Sequence, residues 1–522
     1  MRVMRSEIRG DWDAIVIGSG FGGSMAAHEL VGSGRRVLML ERGDWVRRGR
    51  HNWASDGFCF RSAAYSLDSP YRAVAGGYHD QVGSIQCVGG ASVFYGGVSL
   101  RFREEDFDAC PEIVGDSGAA WPFGYDLLEP HYAEAESLLS VAGESGDDPT
   151  EPWRSGAYPC RPGALSPTSR MIWDAADGLG LSPFRLPLAI NHRRANGLNP
   201  CVACTTCDGF ACAIGAKNDL ATGVLPALIR GGLALETNQV VTRLVHDGSR
   251  VVAVEAVDRL SGRPRRFHAD TVVLAAGALG SPHLVLASGL EQVNPAGELV
   301  GRFLMRHWNA AVLGMFPRKP NRAERFHKQV GVHDLYFGRG ELGRLGGIQQ
   351  IAPPPAGAVC MEAGRAVGVI AAPMLAHITG LLAIAEDQPR YENAVGIDVT
   401  RRDAFGLPQL CIRHEYTRRD ALAGRMLVRA AKRILRRAGA TATYVHEIRT
   451  FSHALGTLRM GADARTSVLD PNGRFRGLEN LYVSDASAFP TAAGVNPSLT
   501  IAANALRVGA AIAGESDVRL AA

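Results

Sequence analysis

An apolar run, Asp13-Ala-Ile-Val-Ile17, passes without interruption into Gly18-Ser-Gly20-Phe-Gly-Gly23 and then into a helical stretch, Ser24–Val31. A short continuous apolar run bounded by glycines reads as a strand buried on both faces, the kind found in parallel sheets covered by helices. Each glycine has a use in a strand–turn–helix that cradles phosphates. Gly18 permits the tight turn, Gly20 lets the backbone approach a pyrophosphate, and Gly23 lets helix and strand pack closely. Arg35–Leu40 supplies a second strand, and Glu41 follows about 20 residues beyond the glycines, where a carboxylate can hold a ribose hydroxyl pair. The unit predicts a doubly wound α/β fold that binds a dinucleotide, and by itself leaves flavin and nicotinamide equally open.

At 522 residues the chain exceeds one compact core, so two domains or one elaborated domain are expected. Its 61 glycines exceed the usual share of about 7% and point to many tight turns. A net charge of +4, with no Lys/Arg run interleaved with aromatics, argues against a nucleic-acid partner. Arg2 and Arg5 are not followed by a signal-peptide core, which predicts a cytoplasmic protein. The most lipid-like window, Val367–Ala385, is broken by Pro373, His377 and Thr379 and reads as buried strand, with no membrane span.

Six further segments bear on the chemistry. Val88-Gly89-Gly90-Ala-Ser92-Val-Phe-Tyr95-Gly96-Gly97 is a loop whose glycines let main-chain amides approach a flat ring or a phosphate. Asp270–Ala276 reads as a strand opening into Gly277-Ala-Leu-Gly-Ser281-Pro282, where the proline suits the first turn of a helix. Gln239–Leu244 reads as a further strand. Near the C-terminus stand His453-Ala-Leu-Gly-Thr457, Leu481-Tyr-Val-Ser-Asp485-Ala486 and Gly494-Val-Asn496-Pro497, the last of which reads as an N-cap followed by a first helical proline.

Taken together, these segments resemble the glucose–methanol–choline (GMC) oxidoreductases, FAD-dependent alcohol oxidases and dehydrogenases, over residues 13 to about 513. The resemblance implies a Rossmann-like FAD-binding domain built from residues 1–45, 80–107, 213–308 and 451–522. An antiparallel-sheet substrate domain with a cap would come from 46–79, 108–212 and 309–450, with 109–212 as the cap or lid. It places FAD against Gly18, Gly20, Gly23, Glu41, Gly89, Gly90, Ser92, Tyr95, Gly96, Gly97, Val240, Ala276, Gly277, Asp485, Ala486, Asn496 and Pro497. Tyr95 stands where relatives carry Asn or a His that can be joined to the flavin, so the FAD is expected to be non-covalent. His453 and Asn496 correspond to the catalytic pair.

Those two residues suit alcohol oxidation. The hydroxyl proton must leave as the carbon gives up its hydride, and a neutral histidine can accept it. His131, His307 and His377 have sufficient core or surface explanations. The best substrate expectation is a primary alcohol of a sugar or aminoglycoside intermediate in natural-product biosynthesis, with oxygen or another acceptor taking the electrons. A sterol or simple alcohol is the alternative. A hydroxynitrile-lyase-like enzyme and a non-catalytic flavin-bound protein are the readings from other classes. Cys201, Cys204, Cys207 and Cys212 approach a ferredoxin spacing without its proline. An iron–sulfur cluster or zinc is weighed there against a loop of buried thiols or a local disulfide; the structural reading is preferred and no metal is assigned.

Overall fold

The computed structural model describes residues 12–514 except 55–56, 76–77, 194–196, 339, 354, 357–358 and 360–372. Arg2, Arg5 and the first part of the 367–385 window lie outside the described residues. The rest of that window contains the strand Ile378–Ala385. No helix among the described residues is long and apolar enough to cross a membrane.

Five parallel strands form the central sheet, in the order Leu481–Val483, Ala269–Leu274, Trp12–Ile17, Val37–Leu40, Ala234–Glu236. Its middle is wholly apolar: Ala14, Ile15, Val16, Val37, Met39, Val273 and Leu274 are buried, as strands covered on both faces must be. From Trp12–Ile17 the chain runs to one neighbour, Val37–Leu40, while Ala269–Leu274 joins the other side. The crevice between the carboxyl ends of diverging strands is where doubly wound folds bind ligands. Gly18 and Ala275–Gly277 leave the sheet at that point.

The helix Phe21–Gly32 follows the first turn and packs against the C-terminal helix Ser498–Ala513. The helix after the second turn, Gly277–Ser288, begins five residues before Pro282, so the proline sits inside it and not in its first turn. Pro282 has no N–H to offer the carbonyl of Ala278, four residues back. Thr457 Oγ1 donates to that buried oxygen at 2.9 Å instead. The Gly-Thr pair after His453 is thus tied to the helix at the crevice. Thr457→Val keeps the shape and removes the donor, which is expected to lower stability by about 1–3 kcal/mol. Thermal melts of the two proteins check this.

A second sheet, six-stranded and antiparallel in all its described pairings, has the order Ala442–Glu447, Trp308–Met315, Ile378–Ala385, Gly346–Ile351, Val330–Val332, Pro183–Arg185. The helix Arg418–Arg437, capped by Thr417 and Asp420, lays Leu427, Ala431, Ile434 and Leu435 on it. Two stretches, Leu381–Ala385 and Ala394–Thr400, which the sequence alone would place together in the antiparallel-sheet domain, separate into different sheets. The second belongs to Ala394–Arg402, which pairs with Pro408–His414 in a four-stranded sheet completed by Tyr65–Ala75 and Tyr78–Ile85. Within 109–212, the helix Tyr125–Leu138 packs on the C-terminal helix, where Tyr132 Oη and Thr500 Oγ1 lie 2.8 Å apart. This part of the predicted cap is core and not a free flap.

Candidate active site

Three turns meet at the crevice. At the first, Gly18 has φ +102°, and a Cβ there would come within 2.5 Å of the Ala275 carbonyl oxygen. A Cβ on Gly23 would lie 1.9 Å from the Gly18 oxygen. Both positions therefore demand glycine for close approach. Gly20 differs, because a Cβ there would meet open space, as it would at Gly277 in the second turn. The open ground in front of Gly20 and Gly277 suits a pyrophosphate-bearing ligand over bare backbone.

Glu41 is buried behind the first turn. Its Oε2 accepts from Ser19 N at 3.1 Å and Ser19 Oγ at 2.5 Å, and its Oε1 from Gly43 N at 2.8 Å. Burial, the largest influence, raises its carboxyl above the usual range against the pull of those bonds. Val240 is buried on the strand Gln239–His246, whose first residue donates its N–H to the Glu41 carbonyl at 2.9 Å. Ser19 escaped the sequence reading although it joins two of the predicted segments: Gly89 N donates to its Oγ at 2.9 Å. Only its place between two glycines marked it.

The third turn is the 88–97 loop. Gly90 lies against Gly20, and Ser92 braces the loop from within by donating to the Gly89 carbonyl at 2.6 Å. Tyr95 Oη donates to the Asn218 carbonyl at 3.0 Å, so the residue where some relatives attach flavin has its hydroxyl engaged with backbone. Gly96 faces Asp208 and Lys328, which form an ion pair at 2.8 Å. Gly97 abuts Ile190, and the following carbonyl, Val98, accepts from Ser498 Oγ at the start of the C-terminal helix.

Asp485 holds the second turn. Its Oδ2 accepts from Gly277 N at 2.8 Å and Ser281 Oγ at 2.5 Å, and its Oδ1 from Ser487 N at 2.9 Å and Ser487 Oγ at 2.5 Å. Ser281 also accepts from the N–H of Ala276, the residue that caps the Gly277–Ser288 helix. Ala486 is buried in the single turn that follows Asp485. These residues fit FAD: a carboxylate for ribose, glycine backbone for phosphates, and a glycine loop whose following carbonyl, Val98, meets Ser498, two residues after Asn496.

His453 Nε2 lies 3.5 Å from Asn496 Nδ2, so the structure brings the predicted catalytic pair together. Enclosure, above all, pushes the His453 pKa down to about 3. Asn496 is not the N-cap that its sequence suggests. The C-terminal helix starts at Ser498 with Pro497 as cap residue, one position later, and the Asn496 amide is left for other partners. Gln349 Nε2, from the six-stranded sheet, donates to Asn496 Oδ1 at 2.9 Å.

His307 needs more than the core explanation its sequence suggested, since its Nδ1 lies 3.0 Å from His453 Nδ1. A two-residue ladder, Leu304↔Gly456 and Met305↔Leu455, carries it there. No local pattern announces a contact across 146 residues of chain. His131 has its pKa lowered mainly by burial and His377 bonds the Phe316 carbonyl; neither joins the site. The Cys201–Cys212 loop contains four free thiols, not a disulfide. Among the described residues no three of these sulfurs lie close enough to share one ion. Lys217 Nζ clasps the loop by donating to the carbonyls of Tyr95, Cys207 and Phe210.

Residues 13–309 and 389–505 match the two sequence profiles of the GMC oxidoreductases. The chain is 31% identical to paromamine 6'-oxidase of Streptomyces fradiae, covering 97% of this chain and 92% of that one. It is also 31% identical to 6'''-hydroxyparomomycin C oxidase of Streptomyces lividus, over 96% and 91%. Among solved structures, pyridoxine 4-oxidase superimposes with a TM-score of 0.68 at 22% identity, over 96% of this chain and 98% of the other. The chain belongs to the GMC oxidoreductase family, FAD-dependent enzymes that act on CH–OH groups.

Proposed function

We propose that this enzyme oxidises a primary alcohol of an amino sugar or aminoglycoside intermediate to the carbonyl, with His453 as general base. The observation that carries the chemistry is the His453–Asn496 pair, at 3.5 Å. A substrate hydroxyl seated between them would give its proton to His453 Nε2 and accept a hydrogen bond from Asn496 Nδ2, which orients the lone pair and the carbinol carbon. FAD, when bound, supplies the acceptor for the hydride. His453, once protonated, stabilises the alkoxide character of the carbinol oxygen as it becomes the carbonyl oxygen.

The substrate class rests on the two aminoglycoside oxidases that match nearly the full chain. The cofactor roles of the three turns, the FAD-binding pieces 1–45, 80–107, 213–308 and 451–522, non-covalent attachment and a cytoplasmic setting without nucleic acid are parts of the same reading. Anaerobic mixing of the FAD-loaded enzyme with paromamine, glucose, cholesterol and simple alcohols tests it. Bleaching by paromamine at the lowest concentration is expected, and a flavin that stays oxidised with every alcohol would sink the proposal. Because the surroundings of His453 keep it neutral, the reduction rate should be flat across neutral pH. Its acidic limb should fall below the ordinary histidine value of about 6.5. A rate that halves near pH 7 through a single protonation would contradict that assignment.

A further inference from the structure

A base at His453 needs a bare nitrogen, and a neutral imidazole has only one. His307 decides which. Its Nε2 lies 3.1 Å from the Ala492 carbonyl oxygen and 2.9 Å from that of Ala493. Carbonyl oxygens only accept, so this nitrogen carries the hydrogen and neutral His307 has its lone pair at Nδ1. That lone pair faces His453 Nδ1 at 3.0 Å, with the rings at 87°. His453 Nδ1 must therefore donate, which leaves Nε2 bare on the side of Asn496. The opposite flank agrees: with Asn496 Oδ1 taken by Gln349, the Asn496 amide presents its NH2 to His453 Nε2.

His307 is firmly held for this task. It is fully buried at φ +59°, a conformation that few non-glycine residues adopt without reinforcement. Asp387 Oδ1 accepts its backbone N–H at 3.0 Å, Asp387 Oδ2 accepts that of Arg306 at 2.9 Å, and Tyr416 Oη donates to the His307 carbonyl at 2.7 Å. His414 Nε2 in turn lies 3.2 Å from Asp387 Oδ2.

We propose that His307 is a positioning residue that locks His453 in the tautomer with Nδ1 protonated and Nε2 bare. The inference rests on the proposed role of His453 as base. In the reaction the substrate O–H bond breaks, its proton moves to His453 Nε2, and the Nδ1–H bond to His307 persists and strengthens as His453 becomes a cation.

Ring-¹⁵N-histidine labelling of the FAD-loaded protein reads the tautomer without turnover, the His453 signals being those missing from His453→Gln. In the wild type a protonated Nδ1 and a bare Nε2 are expected. His307→Phe, which keeps a ring and removes the acceptor, should move both signals toward a mixture of tautomers. It should also slow anaerobic flavin reduction by paromamine at least tenfold, with FAD content and paromamine affinity within twofold of wild type. His307→Asn, whose Oδ1 can stand where Nδ1 stood, should recover most of that rate. A wild-type His453 protonated at Nε2, or a tautomer unchanged in His307→Phe, overturns the proposal. If His307→Phe does not fold, the wild-type spectrum alone decides. The expected tautomer together with a His453→Gln enzyme as fast as wild type would leave the tautomer assignment standing and remove the general base instead.

Discussion

His453→Ala is expected to yield a protein that still binds FAD and is reduced by its alcohol about 10²–10⁴-fold more slowly, the range spanned by a well-placed general base. At about 1.4 kcal/mol for each tenfold change, the loss corresponds to roughly 3–5 kcal/mol of transition-state stabilisation. FAD retention should survive because no hydrogen bond of His453 reaches the turns at Gly18, Gly89 or Gly277; its partners are His307 and Asn496. Asn496→Ala should do less, about tenfold, since the Asn496 amide would orient the substrate hydroxyl without taking its proton. Stopped-flow reduction under nitrogen measures both. A His453→Ala enzyme reduced within threefold of the wild-type rate would remove the base from the mechanism.

The parts of this site that the sequence announces are those whose physics is local. Gly18, Gly20 and Gly23 are fixed by the path of one turn, and Glu41 by the length of one strand–helix–strand unit, so spacing alone placed them. His453 and Asn496 stood out only through their neighbours, Gly456-Thr457 and Pro497. Even there the local rule erred by one position. An Asn-Pro pair normally caps a helix, but the Asn496 side chain is occupied by Gln349 and His453, and the helix starts later. What could not be read depends on long-range pairing. His307 arrives through the ladder of Leu304 and Met305 with Leu455 and Gly456, and Gln349 through the register of a sheet edge-on to residue 494, whose carbonyl accepts from Gly347 N at 3.2 Å. The role of Thr457 is of the same kind. Its donor is needed because Pro282 vacates a carbonyl 179 residues away in sequence. The cysteine spacing left a cluster and a structural loop both open, because nothing local tells that Cys201 Sγ and Cys212 Sγ accept from the N–H groups of Ala203 and Ala216 while Lys217 clasps the loop.

Asp485→Ala should have the largest effect on the cofactor. The carboxylate is buried and receives two N–H and two O–H groups from Gly277, Ser281 and Ser487. Burial raises its pKa above the usual carboxylate range, against the pull of those four bonds. A hydrogen bond to a charged group contributes about 1.5–3 kcal/mol, and these four share one acceptor and are not additive. Removal of the carboxylate should therefore weaken FAD binding by roughly 3 kcal/mol, or about a hundredfold, because Gly277 N and Ser281 Oγ lose the partner that holds the second turn. Asp485→Asn separates charge from shape. Serine hydroxyls can rotate to accept from an amide, but backbone N–H groups cannot, and they approach both sides of this side chain. The Asn variant should therefore fall between wild type and Ala, with one turn still held. FAD titration of the apoproteins, followed by flavin fluorescence alongside a thermal melt, distinguishes a loosened turn from a lost fold. A yellow Asp485→Ala protein with wild-type affinity would mean that the turn at Gly277 keeps its shape without the carboxylate, and that the Thr457 bond to Ala278 alone suffices to set it.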